Sequence, residues 1–269
     1  MTRRGAGIKI NAVTLPPGTA DFASSAAWPP GGVLVVAATY QERSNIEPLI
    51  DRVLTARPDL QLLVVDDDSP DGTGTFALQR AEHEPRLHVL VRRGRRGLGG
   101  AIVEGFNLAR RHGFDVAVNM DADLSHDPDD IPRLLAALDP AGGSPADVVI
   151  GSRRVPGGRT LGWPAWRHVV SRLVGWFTRR VVGVPVRDAS SGFRAVRLAT
   201  FTTLPRSLDP GYTFLEEMLW LVHRAGGRIM EVPITFTNRE RGSSKAGLRE
   251  TMLGGWRLLR LAVIARLGR

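Results

Sequence analysis

The sequence predicts an α/β fold: a mostly parallel, Rossmann-like central sheet flanked by helices, in one domain with interfacial helices at the C-terminus. Two observations predict it. Short apolar runs of strand length alternate with segments whose apolar residues recur at helical spacing. Polar clusters also follow one strand after another, and in a parallel sheet with right-handed crossovers all those strand ends share one rim. The 269 residues, 43% hydrophobic and 23% charged, are ample for such a domain.

Residues 1–31 are poor in periodic pattern and rich in Gly, Pro, Ala, Ser and Thr, and read as a disordered or loosely attached extension. The first buried-strand run covers 32–38 and ends in Thr39, Tyr40, Gln41 and Glu42. Ile46, Leu49, Ile50, Val53 and Leu54 then recur at helical spacing, with Ser44 or Asn45 as cap and Pro48 in the first turn. A strand over 60–65 ends in Asp66, Asp67 and Asp68; a short helix to about 82 and a strand over 87–91 follow. An Arg/Gly loop over 92–100 opens a helix through Ala101, Val103 and Phe106. The strand over 114–118 then runs out into Asn119, Met120, Asp121, Ala122 and Asp123.

Beyond a helix starting near Ile131, a strand over 147–150 ends in Gly151, Ser152, Arg153 and Arg154. Trp163, Trp166, Val169, Val170, Leu173, Trp176 and Phe177 fall near one helical face, among Arg167, Arg172, Arg179 and Arg180. Such a helix packs on the sheet or lies at a membrane interface, where Trp sits at the headgroups and Arg meets lipid phosphates; the composition favours the interface. A helix through Met218, Leu219 and Val222, a strand over 228–236 and a flexible basic loop over 238–245 come next. The last helix carries the stripe Met252, Trp256, Leu259, Val263 and Leu267. The divisions are 1–31, a catalytic domain over 32–250, and a helix over 251–269 that packs onto the domain or docks on a membrane or a partner.

Asp121 and Asp123 point to the same side of extended chain. Two carboxylates so placed repel unless a cation stands between them, and oxygen-only ligands suit Mg²⁺ or Mn²⁺ sharing its shell with substrate phosphates; taken alone, the pair reads equally as a solvated strand end with an Asp helix cap, and the other polar clusters on the same rim favour the site. One of Asp66–Asp68 reads as an acceptor for a ribose or base, and equally well as turn and helix-start chemistry with Ser69, Pro70, Asp71 and Gly72. The 92–100 loop offers four guanidiniums and free N–H groups at a helix N-terminus, which suit phosphate, although it is not a Walker loop and a merely solvated loop is the alternative.

There is no cysteine, hence no disulfide, thiolate metal site or Cys nucleophile. The net charge of +9 suits nucleic acid, anionic lipid or a phosphorylated ligand. Aromatics are only 6% and do not interleave with the basic runs, which argues against nucleic acid. No apolar stretch approaches the roughly 20 residues that span a bilayer, and Arg3-Arg4 leads into no apolar run, so the protein is expected on the cytoplasmic side.

Thr39-Tyr40-Gln41-Glu42, the 65–73 segment, Gly97-Leu98-Gly99, the 120–126 segment, Gly151-Ser152-Arg153, Ser190-Ser191-Gly192-Phe193-Arg194 and the 239–245 loop occur in order. Together they resemble the polyprenol (dolichol) phosphate mannose synthases of glycosyltransferase family 2, over about 33–250. The resemblance implies a GT-A fold, GDP-mannose as donor, a polyprenyl monophosphate acceptor and a divalent ion, Mg²⁺ or Mn²⁺. It implies that Ala38, Tyr40, Glu42, Val65 and Asp67 line the nucleotide, and that Asp121 and Asp123, with Ala122 beside them, hold metal and diphosphate. Arg153, Arg239 and Lys245 are then the phosphate or acceptor contacts. Ser125 stands where archaeal members carry a Gln, and the membrane-spanning tail of some members is missing. The resemblance is therefore to the soluble catalytic type, which acts at the membrane surface or beside an anchoring subunit. The rivals are another sugar nucleotide such as UDP-glucose, a nucleic-acid-binding protein, and a glycoside hydrolase with two acidic residues.

Overall fold

The computed structural model describes residues 20–24, 28–29, 31–94, 97–201, 214–238 and 248–267. The order begins β1 (Ala20–Ser24), β2 (Val33–Thr39), α1 (Arg43–Ala56), β3 (Leu60–Asp66), α2 (Thr73–Ala81), β4 (Leu87–Arg92), α3 (Leu98–Arg111) and β5 (Val116–Asp121). A 3-10 turn (Pro128–Asp130) leads into α4 (Ile131–Leu138), β6 (Val148–Ser152), β7 (Arg159–Leu161), α5 (Ala165–Phe177) and a π-helical turn (Thr178–Val182). The chain continues with β8 (Arg194–Arg197), α6 (Leu198–Phe201), α7 (Phe214–Arg224), β9 (Ile229–Pro233), β10 (Thr235–Thr237) and α8 (Leu248–Leu267).

Eight strands form one sheet in the order β1-β4-β3-β2-β5-β8-β6-β9. The β2–β3, β2–β5, β3–β4 and β6–β9 pairs are parallel, while β1 and β8 run against their neighbours. Both faces are covered, so the strands read as continuous apolar runs. Within β2 the faces separate with period two: Leu34 and Val36 join the core beneath α3, α7 and α8, while Val33, Val35 and Ala37 join the core beneath α1, α2 and α4. Helix α3 lies close on β2, since a Cβ on Gly105 would meet Val36 Cγ1 at 2.5 Å.

Three features depart from the sequence expectation. Residues 20–24, within the stretch expected to be loosely attached, add an antiparallel edge strand to β4. Trp28, also there, is clamped between His88 and His112, with ring centroids 4.0 and 4.2 Å away. Stacking a large, partly buried ring on His88 of β4 and on His112 at the end of α3 ties this part of the extension down. The strand expected over 228–236 is two: β9 pairs with β6, and after Ile234 the chain leaves the sheet to pair β10 with β7.

In α5, Trp166, Val169, Val170, Leu173 and Trp176 are all exposed, and the buried residues of the helix are Ser171 and Gly175. The helix seats on the domain through small residues; a Cβ on Gly175 would meet the Arg187 carbonyl oxygen at 2.5 Å. Most of its apolar stripe thus faces outward, while Val174 and Phe177 pack against the core. Helix α8 has two apolar faces: Leu258, Leu261, Ala262 and Ala265 are buried at i, i+3, i+4 and i+7, while Trp256, Leu259, Val263 and Ile264 are exposed.

Candidate active site

The C-terminal ends of β2, β3, β5 and β6 meet on one rim. Register places Ala38 beside both Val65 and Asp121, and Thr39 beside Asp66. The loops after β2 and β3 are braced together. Asp66 is buried and accepts from Thr39 Oγ1 at 2.8 Å, Ser69 Oγ at 2.6 Å and the Ser69 N–H at 2.8 Å. Ser69, Thr73 and Asp71 in turn accept from the N–H groups of Gln41, Glu42 and Arg43 at the start of α1. The Asp-rich turn therefore caps its neighbour's helix. This satisfies donors that a helix start cannot satisfy itself.

Asp67 is directed elsewhere. Its Oδ2 accepts from the Gly97 N–H at 2.8 Å, and its Oδ1 lies 3.0 Å from Arg92 Nη1. Arg92 also reaches Glu104, at 3.2 Å. Burial pushes the Asp67 carboxyl up, opposed by the Gly97 N–H and the Arg92 charge. The carboxylate thus holds the start of α3, whose loop was expected to meet phosphate, against the end of β3; Arg95 and Arg96 of that loop lie outside the described residues.

Asp121 and Asp123 stand at the end of β5. The Asp121 side chain is 37% exposed, whereas Asp123 is buried and accepts from the Ser125 N–H at 3.0 Å. The Asp121 N–H donates to His126 Nδ1 at 3.2 Å, so that nitrogen carries no proton. Burial holds His126 below its ordinary value, against the pull of Asp121 and Asp123. Its ring stacks on Phe193 and meets Phe236 edge-on. Gly192 packs against Asp121: a Cβ there would lie 2.9 Å from Oδ1. The only non-glycine residues with positive φ among those described are Gln41, Asp68 and Leu124, one on each of the β2, β3 and β5 exits. Each costs of order 1–3 kcal/mol, a pattern that marks functional loops. A cleft of about 430 Å³ adjoins Asp123, lined also by Asn45, Arg52, Ser125, Thr235 and Asn238.

Arg153 at the end of β6 is buried and forked onto Asp188, with Nε and Nη2 donating at 2.8 and 2.7 Å; Nη2 also reaches Ser190 Oγ at 3.0 Å. Trp163 and Phe236 lie 4.9 and 5.3 Å from its guanidinium carbon. Glu231 on β9 accepts from the N–H groups of Arg187 and Asp188, fixing the loop that carries the carboxylate. Deeper, fully buried Arg194 donates to the carbonyls of Ser191, Leu215 and Ala189. It binds the same loop to α7, next to buried Glu216.

Of the residues named from the sequence, Ala38, Tyr40, Glu42, Asp67, Asp121, Ala122, Asp123 and Arg153 gather on this rim. The Val65 side chain is fully buried in the core and presents no surface to a ligand; it sets the position of Asp66 and Asp67. Arg239 and Lys245 lie outside the described residues. Ser190, Gly192 and His126 were visible only as parts of in-order motifs, and Asp188 was not singled out; their roles depend on contacts with residues distant in sequence.

Two carboxylates at a strand exit, a cradle left open by a glycine, and a buried arginine on the same rim fit a divalent ion and an anionic ligand. Among the described residues no cluster of three His, Asp or Glu that could hold a metal ion forms. An open α/β sheet with this rim is the build of a GT-A-like transferase. The chain belongs to glycosyl transferase family 2, whose family model matches residues 34–203. It is 43% identical over 215 residues to the undecaprenyl-phosphate mannosyltransferase of Micrococcus luteus, covering 79% of this chain and 86% of that one. It is 43% identical over 225 residues to the polyprenol monophosphomannose synthase of Mycolicibacterium smegmatis, covering 81% and 83%. In fold it is similar to glucosyl-3-phosphoglycerate synthase from Mycobacterium tuberculosis, solved with Mn²⁺, UDP and glucosyl-3-phosphoglycerate, at TM-score 0.63 and 21% identity over 88% of this chain and 80% of that one.

Proposed function

We propose that the chain transfers mannose from GDP-mannose to a polyprenyl monophosphate, with inversion to a β-linked product, at the cytoplasmic face of a membrane. The observation that carries this reading is the 43% identity to two enzymes named for mannose transfer to such lipids, spanning more than four fifths of each. Asp121 and Asp123 would hold Mg²⁺ or Mn²⁺, which when bound neutralises charge on the diphosphate leaving group. Ala38, Tyr40, Glu42 and Asp67 lie where the nucleotide would approach. The acceptor phosphate is already an anion at neutral pH, so the chain needs no strong general base. Its task is to hold two anions together in line, which is positioning and electrostatics.

Membrane attachment is supported by the outward tryptophans of α5 and α8, Trp166, Trp176 and Trp256, set among Arg172, Arg179, Arg180 and Arg260. No described helix is long and apolar enough to cross a membrane, which is consistent with peripheral attachment or an anchoring subunit.

The test is transfer of label from GDP-mannose to a short polyprenyl phosphate, with and without Mg²⁺ or Mn²⁺, counted in the organic phase. Metal-dependent labelling is expected, and Asp123→Ala should lower it by at least about a hundredfold, since a bound cation supplies several kcal/mol. Labelling from UDP-glucose alone would overturn the donor; near-wild-type turnover by Asp123→Ala would overturn the metal site.

A further inference from the structure

His126 is buried beside the Asp121–Asp123 turn, its side chain 1% exposed, and its Nε2 has no hydrogen-bond partner. Because Nδ1 accepts from the Asp121 N–H, the proton of the neutral ring sits on Nε2. A buried N–H without an acceptor is costly and calls for a reason. Packing does not supply one. The ring is seated as an aromatic, stacked on Phe193 at 5.0 Å and edge-on to Phe236 at 5.2 Å between centroids. A phenyl ring would fill that seat without the unpaired N–H. What the imidazole adds is the Nδ1 acceptor.

That acceptor closes a turn. Nδ1 reaches back to the backbone of Asp121, across Leu124, which holds a φ of 61°, and across Ser125, whose N–H donates to Asp123. Asp121 Oδ2 lies 3.7 Å from the same nitrogen, beyond hydrogen-bond reach, so the imidazole grips Asp121 by its backbone and not by its carboxylate. Both carboxylates are thus carried on one closed turn. The ring ties that turn to the rest of the rim: the Phe193 carbonyl accepts from the Gly151 N–H in β6 at 2.8 Å, and Phe236 of β10 lies 5.3 Å from the Arg153 guanidinium carbon.

We propose that His126 is a positioning residue for the divalent ion, holding the Asp121–Asp123 turn in its ligating shape through Nδ1 and fixing it to Phe193 and Phe236 through its ring. This rests on the metal assignment in the transfer reading above and deepens it: the nitrogen acts on the ion only through Asp121.

Two variants separate the nitrogen from the ring. His126→Phe keeps the ring and loses the acceptor; His126→Asn keeps an acceptor near the Nδ1 position and loses the ring. Mn²⁺ binding is read without turnover, from the loss of the free-ion EPR signal, with Mn²⁺ alone and with Mn²⁺ plus GDP. In His126→Phe the Kd for Mn²⁺ is expected to rise about tenfold, the worth of one hydrogen bond, while the urea unfolding midpoint stays close to that of the wild type. His126→Asn is expected to unfold at lower urea yet bind Mn²⁺ nearly as the wild type does, a split that a purely structural role would not produce. In transfer assays the Mn²⁺ needed for half-maximal rate should rise in His126→Phe and KM for the lipid phosphate should not. An unchanged Mn²⁺ Kd in His126→Phe overturns the proposal. Should that variant not fold, a Kd weakened about tenfold in folded His126→Asn overturns it instead. No Mn²⁺ bound by the wild type, with or without GDP, overturns the metal assignment and this role together. His126-dependent Mn²⁺ binding in a protein that transfers no sugar leaves this role standing and overturns the transfer reading alone.

Discussion

Asp188 grips Arg153 at three points: its Oδ2 accepts from the Arg153 backbone N–H at 2.9 Å and from Nε at 2.8 Å, and its Oδ1 accepts from Nη2 at 2.7 Å. Both side chains are almost fully buried, at 4% and 0% exposure. Burial raises the Asp188 carboxyl, but the Arg153 bonds and charge outweigh it and hold it below its ordinary value. Asp188→Asn keeps the shape and removes the charge, leaving Arg153 buried without a counter-ion. The expected loss is about 3–5 kcal/mol of stability, read from urea unfolding; a loss within 1 kcal/mol, the range of an exposed pair, would mean that Arg153 is well solvated.

Gly192 has no room for a side chain. Its added Cβ would sit 2.9 Å from Asp121 Oδ1 and 3.6 Å from Asn119 Nδ2. Gly192→Ala should push the Asp121 carboxylate off its position, raising the Mn²⁺ needed for half-maximal transfer, at a stability cost of about 1–3 kcal/mol. A normal metal dependence in this variant would show that the loop yields and that the close fit is incidental.

Glu216 supplies a pH dependence. Burial pushes its carboxyl up to about 7, with the Arg194 charge opposing the shift. Between the unfolded and folded values the folded protein holds a proton that the unfolded chain has released. The stability linked to this group is therefore complete at acidic pH and declines as pH rises, levelling off above about 7. The total is of order 3 kcal/mol. Urea midpoints measured from pH 5 to 8 should fall for the wild type relative to Glu216→Gln, which removes the titrating group. Parallel curves would place the titration elsewhere.

Trp166 and Trp176 are 60% and 54% exposed on the outward face of α5. Replacing both by Ser should leave the unfolding midpoint nearly unchanged, because neither is buried in the domain. Cosedimentation with anionic lipid vesicles should fall by about tenfold or more, taking even half of the 1.5–3 kcal/mol typical of burying a large apolar side chain for each ring. Unaltered sedimentation would move the attachment to α8 or to a protein partner.

The first half of the sheet was legible because β2, β3, β4 and β5 are buried on both faces and write themselves as continuous apolar runs. Strand β8 was not legible: it is four residues long and carries Arg194 and Arg197, whose guanidiniums are satisfied by carbonyls of the preceding loop, of Leu215 in α7, and of Leu138 and Ala146. Strand β1 was hidden in a segment without periodicity, because an edge strand needs only its backbone to pair. In the site, the strand-end positions of Asp121, Asp123 and Arg153 could be read from the pattern alone, whereas only the resemblance set Asp67 apart from Asp66 and Asp68. The partners that fix these side chains could not be read. Asp188 lies 35 residues from Arg153, and nothing local distinguishes it from a loop aspartate.

Because α5 rests on the domain through Ser171 and Gly175 and turns its tryptophans outward, a molecule attached by that face searches for its acceptor in two dimensions. Its turnover would then follow the mole fraction of acceptor in the bilayer, not the amount per volume of solution. Spreading a fixed quantity of lipid phosphate through more inert lipid is expected to slow a protein so attached, whereas adding buffer to the same membranes is not.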